Sequence, residues 1–558
     1  MTRQVAPTSV RPFGTTLAAV LAAILLAGCA APGSEKDRTY RITILHTNDH
    51  HGRFWKNADG EYGMAAQKTV VDQVRAEVEA QGGAVLLLSG GDVNTGVPES
   101  DLQDAVPDFH GMNLLKFDAM AVGNHEFDRP RAVLKMQRSL ATFPMLSANI
   151  YENGQRMFAP YKVFTLGGGP GVPGVRVGVM GLTTEDTYKM VHPDNVRGVE
   201  FRGAIAEARR VVPELRRQAD VVIAATHMGH YVDGRHGSQA EGDVEMARAV
   251  SGIDLVVGGH SQNPVCMKAE NLRDEAYVPG APCAPDRQNG TWIVQAHEWG
   301  KYVGRADFTW RNGEFRLVHY ALIPINLKQT VTGADGKPAK AFYTSQIAED
   351  PAMLALLTPY QNTGQEALGI LVGATDARIE GDRAVIRAQP AAMGVLVGRA
   401  MIEKTHADFA VVNAGGVRDS LPAGPLTYKD VLKVQPFGNT VATVDFSGAE
   451  VLAYLNAIAG MSAGSGAFPQ FAGIDLVLRG GAVESARIGG APIDPSRTYR
   501  MAVNAFQAVG GDGYPKLVGH PGYTNTGFVD ADVLRGYILA HSPLKAADYA
   551  PGAAVQRR

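Results

Sequence analysis

RITILHTND, residues 41–49, sets the pattern for the first half of the chain. It is a short apolar, β-branched-rich run that ends abruptly on polar residues, which reads as a buried strand. The same construction recurs in AVLLLSGGD (84–92), AMAVGNHE (119–126), VRVGVMGL (175–182), DVVIAATH (220–227) and DLVVGGH (254–260). Helical patterns lie between these runs, as in AAQKTVVDQVRAEVEAQ (65–81) and AIAEARRVVPELRRQ (204–218). Strand–helix alternation predicts an α/β domain with helices packed on sheet faces. The more regularly alternating 292–320 contains Asn312-Gly313 and predicts hairpin structure closing that domain. A helical stretch at 350–368 marks the expected junction. From about 369 strands and helices alternate again, in DFAVVNAGG (408–416), TVATVDFSG (440–448), AEVLAYLNAIAG (449–460) and YRMAVNAF (499–506). No repeat period indicates a solenoid.

Composition agrees with a folded, multi-domain chain. Of 558 residues, 45% are apolar and 20% charged. Gly and Pro, 64 and 31 residues, fall short of a low-complexity content. Collagen, coiled coil, disordered tail and multi-pass transporter are excluded. The length predicts two to four domains. A net charge of −3 without a long basic run argues against a nucleic-acid polymer as partner.

All but one of the six strand ends carry metal-capable residues. Asp49 and His51 follow the first run, Asp92 ends the second, and Asn124 and His125 end the third. His227 ends the fifth, and His260 the sixth, with Gln262 two residues on. Ligands of open α/β sheets sit beyond the carboxyl ends of strands, so these side chains are expected to converge. Imidazole with carboxylate suits Zn²⁺, Mn²⁺ or Co²⁺. The set is too rich for one ion and contains no Cys, so it suits two ions bridged by a carboxylate rather than a structural zinc. Singly, a His after an apolar run is more often structural, but five such elements in order at strand ends are not explained by chance. In Gly-Asn-His-Glu (123–126) the Gly is read as permitting a tight turn.

The order DxH, GD, GNHE, TH, GHSQ resembles the calcineurin-like metallophosphoesterase superfamily. The strings HTNDHHGRFW (46–55), LLSGGDVNTGVPESDLQDA (87–105), GNHEFD (123–128), ATHMGHY (225–231), VGGHSQNPVCM (257–267), KVQPFGN (433–439) and GGDGYP (510–515) narrow this. They resemble the bacterial periplasmic 5′-nucleotidase/UDP-sugar hydrolase family over essentially the whole mature chain. The resemblance implies an N-terminal β-sandwich flanked by helices (39–349), a linker helix (350–368) and a smaller C-terminal α/β nucleotide-binding domain (369–558). It implies one ion on Asp49, His51, Asp92 and Gln262, and a second on Asp92, Asn124, His227 and His260. His125 would be catalytic, with Asp128 orienting its ring. Two ions ~3.5–4 Å apart would clamp the attacking and leaving oxygens of an in-line displacement.

A second set suits a nucleotide. Arg383 and Arg387 lie in EGDRAVIRAQ (380–389), and Arg418 follows Gly415-Gly416. The planar guanidinium fork binds two phosphate oxygens at once. Phe437 and Asn439 lie in PFGN, and Phe506 precedes the Gly-rich turn containing Asp512. By the resemblance, the arginines hold phosphate, the two Phe rings sandwich the base, Asn439 meets a base edge and Asp512 the ribose. With chemistry on one half and recognition on the other, domain motion is expected, with a hinge near 350–368.

Residues 1–28 carry Arg3 and Arg11, no acid, and the apolar run LAAVLAAILLA (17–27), which reads as a signal peptide. Leu26-Ala27-Gly28-Cys29 resembles a bacterial lipobox, implying a lipidated Cys29, a tether over 29–38 and a periplasmic, outer-membrane-anchored protein. An ordinary cleaved signal and a soluble periplasmic protein are the alternative. In such an oxidising compartment Cys266 and Cys283 are expected to pair, two free thiols being the other possibility. Nothing suggests an obligate oligomer, so a monomer is expected.

These features lead to an exported dimetal hydrolase of nucleoside 5′-monophosphates, with UDP-sugars and other phosphoanhydrides as further substrates. The competing readings are a 2′,3′-cyclic nucleotide phosphodiesterase, a non-catalytic nucleotide-binding lipoprotein, and a structural lipoprotein. The last leaves the convergent ligands unexplained.

Overall fold

The computed structural model describes residues 37–191, 193–231, 241–333, 336–551 and 555–557. The signal segment and Cys29 lie outside them. The strand runs of the first half do not join one sheet but build two, each six-stranded. In the first sheet Tyr40–Thr47 pairs in parallel with Ala84–Ser89, followed by Ala119–Ala121 and Met145–Leu146. Its other edge is the antiparallel hairpin Tyr302–Arg311 and Glu314–Pro324. Asn312 and Gly313, at φ 52° and 85°, turn that hairpin as the sequence predicts. In the second sheet Val175–Thr183, Val221–His227, Leu255–Val257 and Thr291–Val294 run parallel, with antiparallel edges.

The two sheets pack face to face. Ile42, Ile44, Leu86 and Leu88 meet Val177, Val179, Ile223 and Leu255 in one core. The outer faces are also covered. Leu45 and Leu87 pack beneath the helices Met64–Ala80 and Val106–Leu115, while Val222, Ala224 and Val256 pack beneath Ala204–Arg216 and Asp243–Ala249. Strands buried on both faces read as continuous apolar runs, which is why the sequence shows them so plainly. Cys266 and Cys283 are joined in a disulfide, with Cys266 buried against the inner core.

The helix Pro351–Leu368 opens with Asp350 accepting the Met353 N–H at 2.8 Å. Met353 and Leu357 are wholly buried in the core of the first unit. By packing, the front of this helix is therefore part of the first unit. The chain leaves that unit at its far end, near Gly369.

The second unit centres on a five-stranded sheet, with Phe409–Asn413 and Thr440–Ser447 flanking Thr498–Asn504. Helices Ala392–Thr405 and Asp530–His541 cover one face, while Gly448–Ala459 and a four-stranded sheet cover the other. Thr427 and Asp430 form a reciprocal capping box at the start of helix Tyr428–Val434.

Candidate active site at the junction of the two units

The strand ends converge. Val221–His227 ends on His227, whose Nδ1 lies 2.7 Å from the Gly90 carbonyl. A carbonyl only accepts, so Nδ1 carries the proton and Nε2 presents a lone pair. That lone pair faces Asp92 Oδ2 at 2.9 Å, Asn124 Oδ1 at 3.1 Å and His260 Nδ1 at 3.2 Å. His51 follows the same logic. Its Nδ1 meets the Thr95 carbonyl at 2.8 Å, and its Nε2 faces Asp49 Oδ1 and Asp92 Oδ2 at 3.8 and 3.9 Å and Gln262 Nε2 at 2.7 Å. Among the described residues, buried Asp49 Oδ1 has no hydrogen-bond partner. Acceptors gathered on acceptors around Asp92, with an orphaned carboxylate oxygen among them, call for cations, and the donor set is that of a divalent metal. Two clusters could each hold an ion, His51 with Asp92 and His125, and Asp92 with His227 and His260, so Asp92 is common to both, as the sequence leads one to expect, while His125 joins the first cluster in a place the sequence gives to Asp49 and Gln262.

Electrostatics point the same way. Burial opposes the charged form of His227, yet Asp92 and Asp49 favour positive charge at Nε2 and hold its pKa up at about 10, so that the position takes either a proton or, in its place, a metal ion on the neutral ring. Burial pushes Asp49 up to about 7, Asp92 adding to the rise and His227 opposing it. Burial would also raise Asp92, but His227 and His125 keep it well below the carboxylate range. The site attracts positive charge.

Local backbone strain supports this geometry. Asp49, His51, Asp92, His260 and Gln262 all have φ between 51° and 80°, a region L-residues rarely adopt. Gly123 serves differently from the sequence reading, which gave it a turn. A Cβ there would lie 2.1 Å from Asp92 Oδ1, so the glycine makes room for the carboxylate.

His125 stands at the rim, with Nδ1 2.5 Å from Asp128 Oδ2 and Nε2 3.9 Å from Asp92 Oδ2. Burial would lower its pKa, but Asp128 and Asp92 raise it to about 9. Phe437 from the second unit stacks on this ring at 6.1 Å and 18°. Arg418 lies over Phe437 at 5.3 Å, and Arg383 Nη1 donates to Gln262 Oε1 at 3.1 Å. A cavity of about 650 Å³ brings His51 and Gln262 together with Arg383, Arg387, Arg418 and Phe437. Burial and mutual repulsion lower Arg387 to about 9 and Arg418 to about 10, so the cluster favours an anion.

Phe506, Asn439 and Asp512 do not line that cavity. Phe506 packs on the Gly511 turn, and Asp512 accepts from Asn413 Nδ2 at 2.8 Å. Asn439 lies two residues beyond Phe437, and its carbonyl accepts the Asp530 N–H.

The sequence reading missed two residues of the first unit. Glu126 is 1% exposed, and its carboxylate accepts backbone N–H groups of Asp92, Val93 and Gly123 at 3.1, 2.8 and 2.6 Å. It ties the Asp92 turn to the Asn124 turn. Arg53 donates to the His51 carbonyl at 2.7 Å and lies over Trp299 at 3.9 Å, in the cavity wall. Both stand inside quoted motifs, so position was the available signal.

A helix-flanked β-sandwich with this ligand set at its strand ends defines a calcineurin-like phosphoesterase. Residues 42–264 match the calcineurin-like phosphoesterase family, and residues 371–519 match the 5′-nucleotidase C-terminal domain. The chain belongs to the 5′-nucleotidase family of these hydrolases. It is 57% identical over 545 residues to Protein UshA of Yersinia enterocolitica, covering 97% of this chain and 98% of that protein. It is 54% identical over 557 residues to the 5′-nucleotidase of Vibrio cholerae, covering 98% and 100%. Among solved structures, the 5′-nucleotidase precursor of Thermus thermophilus superposes with a TM-score of 0.72 at 28% identity, covering 93% of this chain and 99% of that one.

Proposed function

We propose that this protein hydrolyses nucleoside 5′-monophosphates to nucleoside and phosphate, and also cleaves phosphoanhydrides such as UDP-sugars. One observation carries the reading: the arginines and Phe437 of the second unit share a cavity with His51 and Gln262 of the first. The 5′-nucleotidase relative from Vibrio cholerae, matched over nearly all of both chains, supports it.

Asp49, His51, Asp92 and Gln262 would hold one divalent ion, and Asp92, Asn124, His227 and His260 a second, Zn²⁺, Mn²⁺ and Co²⁺ all suiting the donors. Bound there, such ions supply charge neutralisation at the phosphoryl group and a lower pKa for water. The chain's own residues do the rest. Asp128 accepts the Nδ1 proton of His125, leaving Nε2 to donate to a phosphoryl or leaving-group oxygen. Arg383, Arg387 and Arg418 bind the phosphate through charge-assisted hydrogen bonds, Arg418 from a buried position. By the family resemblance Phe437 and Phe506 would hold the base, Asn439 its edge and Asp512 the ribose, although only Phe437 lines this cavity. The two units are read as domains meeting near 369, with recognition on 369–558. The protein is proposed to be an exported monomer that scavenges nucleotides and is anchored through lipidated Cys29.

The test compares AMP, 2′,3′-cyclic AMP and UDP-glucose on metal-reconstituted protein. Turnover of AMP and UDP-glucose is expected. Turnover of the cyclic nucleotide alone would replace this reading with a phosphodiesterase, and AMP binding without turnover of any substrate with a binding protein.

A further inference from the structure

Glu99 belongs to the string GVPESDLQ, to which the sequence reading assigns no role. It is 3% exposed, unusual for a carboxylate, and it sits at the cavity wall. Gln365 Nε2, from the helix Pro351–Leu368, donates to its Oε1 at 2.5 Å. The Lys429 ammonium of the second unit donates to the same oxygen. Glu99 Oε2 has no hydrogen-bond partner among the described residues. One buried acid of the metal-bearing unit thus holds one cation of the nucleotide-binding unit.

Lys429 stands in the first turn of helix Tyr428–Val434, behind the Thr427–Asp430 capping box. The other end of this helix leads to the site. The Val434 carbonyl accepts the Arg418 N–H at 2.9 Å, and three residues later Phe437 stacks on His125. A seven-residue helix is a short rigid spacer, roughly 10 Å long. Fixing its first turn therefore fixes where its last turn presents Arg418 and Phe437.

We infer that Glu99 and Lys429 form a positioning pair that seats helix Tyr428–Val434, and with it Arg418 and Phe437, over the metal-ligand cluster. Neither residue touches the reacting atoms. Both act through the helix.

The kinetic arm of the test rests on the nucleotide-hydrolase reading, whereas the exchange arm does not. Glu99→Gln, Lys429→Met and Lys429→Arg are compared with wild-type full chain for KM and kcat on AMP. Amide hydrogen exchange is read on peptides spanning 428–439. Glu99→Gln and Lys429→Met are each expected to raise KM about ten-fold with kcat changed less than three-fold, as small misplacement of binding groups does. Exchange over 428–439 is expected to quicken at least ten-fold, with the strands of the first unit unaffected. Lys429→Arg, which keeps the cation, is expected to stay within two-fold of wild type. Raised KM with unchanged exchange would make the pair a substrate contact and overturn the inference. Quickened exchange with unchanged KM would make it merely structural and overturn it equally. If wild type does not turn over AMP, the hydrolase reading fails and exchange decides alone: quickened supports the pair, unchanged overturns it. Should Lys429→Met not fold, the isosteric Glu99→Gln carries both arms.

Discussion

A histidine can hold a metal ion only if its free nitrogen is the one that faces the site, and here hydrogen bonds to carbonyls make that choice. His51 and His227 each spend Nδ1 on a carbonyl oxygen, Thr95 and Gly90 respectively. His125 differs, because its Nδ1 is spent on a carboxylate. His125→Ala is therefore expected to lower kcat/KM on AMP by roughly 10²–10⁴-fold while bound metal, measured by elemental analysis, stays at the wild-type level. Loss of metal along with activity would make His125 a ligand instead. Glu126 makes the complementary case. Glu126→Gln puts an amide where a carboxylate accepts four backbone N–H groups, so the Asp92 and Asn124 turns lose their tie. Metal affinity is expected to fall about 10–100-fold, read by competition with a chelating dye. Unchanged affinity would show that the turns hold themselves. The ligand types were legible in the sequence because each closes an apolar run. Glu126 was not, since a carboxylate that binds only backbone leaves no pairing signal in the sequence.

At the scale of elements, the sequence reading located most strands and helices of the first unit closely. The helix expected at 65–81 spans Met64–Ala80, and the one expected at 204–218 spans Ala204–Arg216. Residue-level periodicity does not say which sheet a strand joins. The six runs divide between two sheets, and only the family resemblance predicted that sandwich. The function of Gly123 was also misread, because a space requirement and a turn requirement give the same residue. Asp530 illustrates an element-level property that no motif carries. It opens helix Asp530–His541, is 3% exposed, and burial pushes its carboxyl up to about 8. An unfolded chain loses that proton near pH 4, so the native state binds the extra proton between about pH 4 and 8. Stability attributable to this group therefore falls as pH rises through that window and is level above it. Asp530→Asn keeps an oxygen for the Ala531 N–H and removes the titration. Its melting temperature is expected to exceed wild type by ~5 °C or more at pH 8, with a much smaller difference at pH 4. An equal difference at both would mean that Asp530 is ionised in the fold.

The described residues divide the labour between two units. One carries seven prospective metal ligands on its sandwich, and the other brings cations and the Phe437 ring to the same cavity. The cross-unit contacts were beyond the sequence, because Lys429 and Glu99 are 330 residues apart. The disulfide was within reach, since once Cys29 is assigned to lipid only two cysteines remain. It closes a separation of 17 residues, and Cys266→Ser with Cys283→Ser is expected to cost ~3 kcal/mol, read as a lower denaturant midpoint for the first unit. An unchanged midpoint would mean that the loop is held by packing alone. Asp92 is proposed to join two ion sites, both of which must be filled for the first unit to act as a phosphohydrolase. The most direct test strips the purified protein of metal and titrates it with Mn²⁺ while phosphate release from AMP is followed. Activity absent at the start and saturating at two equivalents per chain is the predicted result. Full activity without metal, or saturation at a single equivalent, would contradict it.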